Sequence, residues 1–312
     1  MDVLSRFEFD PLESQIHIRG ISLPTSHLEP KASHPITSPA GWTELPSISK
    51  MVSFVNLLVA GLVASVAIAT PHQAHSSFHH KRGSSKRGAA YNDASAIPAL
   101  SNSGNCPWAY NWWSSPSGSM PSGVEYVSML WGEKAFGNWK TDVEAALASG
   151  TTHILAFNEP DEGSQSNLTP DVAVGYYQQY ITPYAKRASL GSPGVTNGGG
   201  SMGLTWLESF LQGCGSCGIS FIAIHWYDDA SNVPYFKQHV TDAITLAKKY
   251  GINKVWITEF GTTGGDATGF LKQVLPWLDS QSAVERYAFF MCGGGILANG
   301  NTITPLGTTY TS

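Results

Sequence analysis

A compact (β/α)8 TIM barrel, in the α/β class, is the fold this sequence predicts, and three observations predict it. Short apolar runs alternate with helical stretches from about residue 88 to the end, the pattern of a parallel sheet wrapped by helices. Two of those runs, 154–157 and 255–257, lead within two residues to a carboxylate, Glu159 and Glu259, and the chain then breaks into Pro or Phe-Gly. A charged group at the C-terminal tip of a parallel strand is where α/β barrels place their chemistry. The third observation is negative: neither glycine triplet, 198–200 or 293–295, leads into the Lys-Ser/Thr of a nucleotide-binding phosphate loop. That weighs against an open doubly wound sheet, which stays as the alternative.

Taken in order, the first strand-like runs are 107–112 and 125–131, both rich in aromatic residues. A helix follows over about 139–148, stopped by Gly150. The run 153–157 carries Glu159, and Thr169-Pro170-Asp171 opens what reads as the longest helix, 170–188. A weaker strand at 188–192 and a glycine loop at 197–200 precede a helix over 204–212. The apolar run 221–227, the helix 233–250, the strand of Glu259, the helix 270–279 and the run 287–292 complete the series. Seven strands are legible, whereas a barrel needs eight in about 250 residues. The eighth is expected between 88 and 125.

The chain has 312 residues, 42% hydrophobic and only 13% charged, enough for one large core. Its 32 Gly, 10 Trp and 12 Tyr suit an exported carbohydrate-active protein better than a cytosolic one. A net charge of −5 gives no electrostatic reason to expect nucleic acid as a partner.

The first third does not read as fold. Residues 1–50 are polar and Pro-studded, a disordered or mis-annotated extension with Met51 as the true initiator. Lys50, an apolar run and Ala67-x-Ala69 make 51–69 a secretory signal peptide, too short for a membrane span of about 20 residues, with a signal anchor as the alternative. Residues 70–87 form a basic propeptide or linker with dibasic pairs at Lys81-Arg82 and Lys86-Arg87. Processing after Arg87 would start the mature chain at Gly88, leave an acidic catalytic domain over 88–312 and discard His72, His75, His79 and His80, a weak metal-binding cluster. The C-terminus carries no hydrophobic tail, so no lipid anchor is expected. After processing, a secreted monomer without a membrane segment is expected.

Glycosidic hydrolysis needs one carboxylic acid to protonate the leaving oxygen, and a second carboxylate to attack the anomeric carbon or activate water. Glu159 and Glu259 are the strand-ending candidates, with Asp161 and Glu162 as rivals better suited to bonding loop amides. Asn158 could donate its amide to a sugar hydroxyl. His225, Trp226 and Tyr227 end another inner strand, and since side chains alternate, His225 and Tyr227 rank above Trp226. Tyr110, Asn111, Trp112 and Trp131 are further substrate-contact candidates, some of which will be packing instead. No H-E-x-x-H is present, and neither a serine triad nor a metal or other cofactor is expected. Of the three connectivities four cysteines allow, Cys214–Cys217 with Cys106–Cys292 is preferred, the latter tying the first strand region to the last. Asn167 heads the one glycosylation sequon past residue 88.

Several of these stretches together resemble one family. Ala90-Tyr91-Asn92, Tyr110-Asn111-Trp112, Met129-Leu130-Trp131-Gly132 and 157–161 carry the first half of the resemblance, and Leu190-Gly191-Ser192-Pro193, 225–228 and 256–261 the second. The region from Gly88 onward looks like glycoside hydrolase family 128, the fungal alkali-sensitive-linkage-protein-like catalytic domain. That resemblance implies a clan A barrel and retaining hydrolysis of cell-wall β-1,3-glucan; an endo-β-1,3-glucanase is the expectation, with endo versus exo action left open by the resemblance. It makes Glu159, after the fourth strand, the acid/base and Glu259, on the seventh, the nucleophile. A retaining pair should stand about 5–5.5 Å apart, an inverting pair about 6.5–9.5 Å. A glucan-binding lectin and a β-glycanase of other linkage remain as alternatives.

Overall fold

The computed structural model describes residues 85–312; the extension, the signal-like run and the basic segment up to residue 84 lie outside the described residues. Nine parallel strands form one sheet: β1 (Arg87–Tyr91), β2 (Trp108–Tyr110), β3 (Glu125–Tyr126), β4 (Ser128–Met129), β5 (His153–Leu155), β6 (Ser189–Val195), β7 (Ile219–Asp229), β8 (Val255–Gly264) and β9 (Val284–Cys292). Their order is β3-β2-β1-β9-β8-β7-β6-β5-β4. The two ends of that list are one piece of chain. Val127 joins β3 to β4 and donates its N–H to Ala109 O at 2.9 Å, while Ser128 and Met129 pair with Ile154 and Leu155. The nine strands therefore make eight staves of a closed barrel, and Glu159 follows the fourth while Glu259 lies on the seventh.

The stave missing from the sequence pattern is β1, Arg-Gly-Ala-Ala-Tyr. Its small residues are a packing requirement, because a Cβ on Gly88 would stand 2.1 Å from the Trp108 ring. Trp108 is in turn one of several rings that fill the barrel interior. It meets Trp256 at 5.1 Å, and Trp256 stacks on Phe221 at 4.1 Å. These residues come from β2, β8 and β7, which are not all neighbours in the sheet, so the contact spans the inside.

Among the described residues seven helices cover the outside: α1 (Ile97–Ser101), α2 (Phe136–Ala148), α3 (Pro170–Tyr180), α4 (Gly203–Gly213), α5 (Val233–Lys249), α6 (Ala267–Ser280) and α7 (Pro305–Thr311). The expectation that a helix runs from 170 to 188 is corrected. α3 stops at Tyr180, and a short 3-10 turn, Thr182–Tyr184, carries Pro183, whose ring removes a backbone donor and disfavours helix in the residue before it. The longest helix among the described residues is α5, at 17 residues. α6 is capped by Asp266, whose carboxylate accepts from Gly269 N at 2.9 Å, and α7 by Thr304, which accepts from Gly307 N at 3.0 Å.

Cys214 and Cys217 form a disulfide at the C-terminal end of α4. The second expected bridge is corrected: Cys106 and Cys292 are separate buried thiols. β1 intervenes between β2 and β9, and each thiol turns to a carbonyl, Cys106 Sγ to Trp108 O and Cys292 Sγ to Ala96 O. Burial pushes both thiols up, Cys292 to about 12, so they stay protonated.

Candidate active site

The chain leaving β5 continues extended to Asn158, which bridges to Gly194 on β6, and then turns sharply. Glu159 makes that turn with φ 41°, a left-handed conformation that costs a non-glycine residue energy and needs support. The support is local: Glu159 N donates to Gly194 O at 2.7 Å, and Ser166 N and Oγ both donate to Asn158 O. Asp161 fastens the next loop, accepting from Thr196 N, from Thr196 Oγ1 at 2.6 Å and from Gly203 N at 2.8 Å. It thus bonds loop amides, while Glu162 accepts from Ser164.

On β7 and β8 a register shift between Ile224 and His225 brings His225 opposite Glu259. His225 is fully buried. Its Nδ1 lies 2.7 Å from Glu159 Oε1, and its Nε2 lies 3.0 Å from Thr258 Oγ1 and 3.5 Å from Glu259 Oε1. A glycine at 194 makes room for the ring, since a Cβ there would touch Nε2 at 3.0 Å. Around Glu259, Trp112 Nε1 donates to Oε1 at 2.5 Å and Tyr227 OH donates to Oε2 at 2.7 Å. Tyr110 OH donates to Thr258 O at 2.9 Å and reaches Glu259 Oε1 at 3.5 Å. Phe290 packs against both Trp112 and Tyr227.

One oxygen from each of Glu159 and Glu259 and one nitrogen of His225 all lie within 4.8 Å of one another. The electrostatics follow from two acids sharing one base. Burial raises the Glu159 carboxyl; the His225 hydrogen bond opposes this, and the charges of Glu259 and Asp161 add to it, leaving it above the usual carboxylate range. Burial works against a charged His225 ring, but Glu259 and Glu159 outweigh it and push the imidazole up to about 9. Tyr110 and Tyr227, raised first by burial and then by Glu259, stay protonated and act as donors. The trio has the composition of a metal site, yet a protonated His225 presents N–H groups to the carboxylates in place of a lone pair.

Not every candidate from the sequence comes to this point. Trp226 faces away: it is fully buried and stacks on Phe270 with an interplanar angle of 4°, so its reading as a sugar contact is corrected. Asn111 is likewise corrected. Its amide braces its own loop, donating to Ser115 O and Ser117 Oγ and accepting from Tyr126 OH. Trp131 lies under the Lys134 ammonium at 5.3 Å, and its carbonyl accepts from Asn158 N. Asn158 donates to Gln165 Oε1 at 3.0 Å, and its Oδ1 is buried without a protein hydrogen bond. Asn167 is exposed on the turn before α3.

Sequence reasoning missed Thr258, Gln165 and Asn197. Asn197 lies in the loop read as a plain glycine turn, and ties it to β7 by accepting from Tyr227 N and donating to Tyr227 O. Its carbonyl accepts from Tyr235 OH at 3.0 Å, on α5. Tyr235 is one of two large hydrophobic side chains left exposed among the described residues. No periodicity marks such a residue. A cavity of about 570 Å³ lined by Val124, Tyr126, Asp142 and Thr151 lies by the strand starts and holds neither acid.

Residues 88–310 match the family model described as glycosyl hydrolase catalytic core. The chain is 33% identical over 218 residues to alkali-sensitive linkage protein 1 of Schizosaccharomyces pombe, covering 64% of this chain and 38% of that protein. It therefore spans well under half the length of that relative. Among solved structures it resembles a GH128 subgroup III curdlan-specific exo-β-1,3-glucanase from Blastomyces gilchristii, in complex with glucose. That likeness is at 47% identity and a TM-score of 0.70, over 74% of this chain and 99% of the other. It also resembles a GH128 subgroup I endo-β-1,3-glucanase from Amycolatopsis mediterranei, in complex with laminaritriose. There the identity is 26% and the TM-score 0.61, over 73% and 98% of the two chains.

Proposed function

The chain belongs to the glycosyl hydrolase catalytic core family, within GH128, and from that premise we propose that it hydrolyses β-1,3-glucan with retention, using Glu159 as acid/base and Glu259 as nucleophile. The observation that carries this reading is the approach of the two carboxylates within 4.8 Å around a shared His225 at the C-terminal side of the barrel. A gap that short favours direct attack by a carboxylate, because an inverting pair leaves room for water at about 6.5–9.5 Å.

In the first step Glu259 attacks the anomeric carbon as the glycosidic C–O bond breaks. Glu159, whose raised affinity for protons suits the task, gives its proton to the leaving oxygen. In the second step Glu159, now ionised, takes a proton from water. The resulting hydroxide attacks the anomeric carbon and releases Glu259. Trp112, Tyr227 and Tyr110 aim three donors at Glu259, which orient its attack. His225, charged, faces both acids and offsets the charge that alternates between them.

The substrate class rests on the solved relatives, which are named for β-1,3-glucan in both exo and endo modes. Export and a place in the cell wall rest on the signal-like run and on the likeness to a linkage protein. A monomer, and a glycan on exposed Asn167, complete the reading.

Reducing-sugar release from linear β-1,3-glucan, beside cellulose, xylan and mannan, tests it. Release from the β-1,3-glucan alone, with the β-anomer formed first by NMR and abolished in Glu259→Gln, is the expected result. Release of the α-anomer would overturn retention. Binding of glucan without release would leave a lectin.

A further inference from the structure

The two dibasic pairs look alike in sequence, but the second is built into the barrel. Lys86 Nζ donates to the carbonyls of Leu278, Asp279 and Gln281 at 3.2, 2.9 and 2.8 Å. These carbonyls lie at the C-terminal end of α6, where unsatisfied acceptors and the helix dipole favour a cation. The Lys86 carbonyl accepts from Trp108 Nε1 at 3.1 Å and from Tyr287 N at 3.0 Å. Arg87 is the first residue of β1, in register with Tyr287; its guanidinium pairs with Asp279 at 3.0 Å and lies 5.9 Å over the Tyr287 ring.

The bond between Arg87 and Gly88 is therefore closed to a protease. Gly88 is buried, and its N–H and carbonyl both meet Tyr310 OH, at 3.2 and 2.8 Å. β1 has a strand on each side, β2 and β9. A protease that binds its substrate as an extended segment needs free backbone groups and free basic side chains, and this segment offers neither. Cutting here would require β1 to leave the barrel, an opening close to global unfolding.

We propose that maturation cuts after Arg82, so that the mature chain begins at Gly83, and that Lys86-Arg87 is a clasp fastening β1 to the end of α6. This proposed start replaces the one at Gly88 read from the sequence and does not depend on the reaction assigned above. Lys86 and Arg87 stay with the catalytic domain and belong to its stability, although they sit inside a segment that reads as disposable.

The test is digestion of the folded full chain with a dibasic-specific endoprotease, with a synthetic peptide of residues 78–93 alongside, followed by N-terminal sequencing. The folded chain should yield Gly83 as its only new N-terminus, while the peptide is cut after both Arg82 and Arg87. A folded product starting at Gly88 overturns the proposal, and so does a folded chain left uncut at both pairs. A peptide cut after Arg82 alone overturns it as well, since sequence and not fold would then protect Arg87. In the full chain Lys86→Gln should lower Tm by a few degrees and Lys81→Gln should not. Equal Tm values for the two would overturn the clasp.

Discussion

Each end of the barrel holds a histidine against glutamate, and the two ends differ in how many basic side chains face each acid. By the strand starts, Glu125 is fully buried and accepts from Arg286 at 2.7 Å, from Thr152 N and Oγ1 at 2.7 and 2.8 Å, and lies 3.1 Å from His153. The Arg286 guanidinium lies 4.6 Å over Trp256 and 5.5 Å over Trp108. Burial opposes ionisation of Glu125, but His153 and Arg286 together hold its carboxyl well below the ordinary range. By the strand ends, two carboxylates share His225 alone, and Glu159 is pushed the other way. One acid with two basic partners is a plug for the barrel floor. Two acids with one basic partner leave a carboxyl, Glu159, that holds its proton more tightly than an ordinary carboxylate, an arrangement suited to proton transfer.

Exchanging single atoms at the two ends should separate the roles. Glu159→Gln keeps the shape of the upper cluster and removes its transferable proton. We expect kcat on β-1,3-glucan to fall by roughly 10²–10⁴-fold, the usual worth of a general acid, with little change in Tm. Glu125→Gln should do the reverse. It leaves Arg286 buried beside a neutral amide, and breaking such a pair costs about 3–5 kcal/mol, read by denaturant unfolding. A Glu125→Gln protein that keeps its stability and loses activity would erase the distinction between floor and mouth.

The sequence made the mouth far more legible than the floor. Glu159 and Glu259 stand out because a charge at the end of an apolar run has a local signature. Strand alternation separates His225 and Tyr227 from Trp226, and the structure keeps that division, with Trp226 stacked on Phe270 behind the sheet. Glu125 and Arg286 are 161 residues apart, and nothing local ties one to the other. β1 was hidden for a different reason: at its closest approach to Trp108 only small residues fit, and small residues carry no strand signal. The Cys106–Cys292 bridge failed because strand order was unknown, and β1 turned out to lie between the two strands it was meant to join.

A smaller effect probes how the mouth keeps its two acids different. Tyr227→Phe removes the hydroxyl that donates to Glu259 Oε2 at 2.7 Å and leaves the ring packed on Phe290. A hydrogen bond to a charged group is worth about 1.5–3 kcal/mol, so kcat/KM should drop by roughly 10- to 100-fold. The loss should fall mainly on kcat, because the hydroxyl orients the attacking carboxylate and the packed ring is kept. A loss carried by KM alone, with kcat unchanged, would mean that Tyr227 holds the substrate and does not act through Glu259.

Stability against pH should respond to the two ends of the barrel in opposite directions. Glu125 binds its proton more weakly folded than unfolded, so between its depressed value and the unfolded value near 4.3 the unfolded chain holds more protons. Its contribution is complete above that window and is lost as pH falls through it. His225 binds its proton more tightly folded than unfolded, with a folded value of about 9 against roughly 6.5 unfolded. Its contribution is complete below 6.5 and is lost as pH rises through 9. Urea midpoints from pH 3 to 10 should therefore fall at both extremes, with Glu125→Gln flattening the acid side and His225→Asn the alkaline side. If His225→Asn left the alkaline slope intact, the imidazole would be neutral between its two acids. The mouth would then differ from the floor in geometry alone.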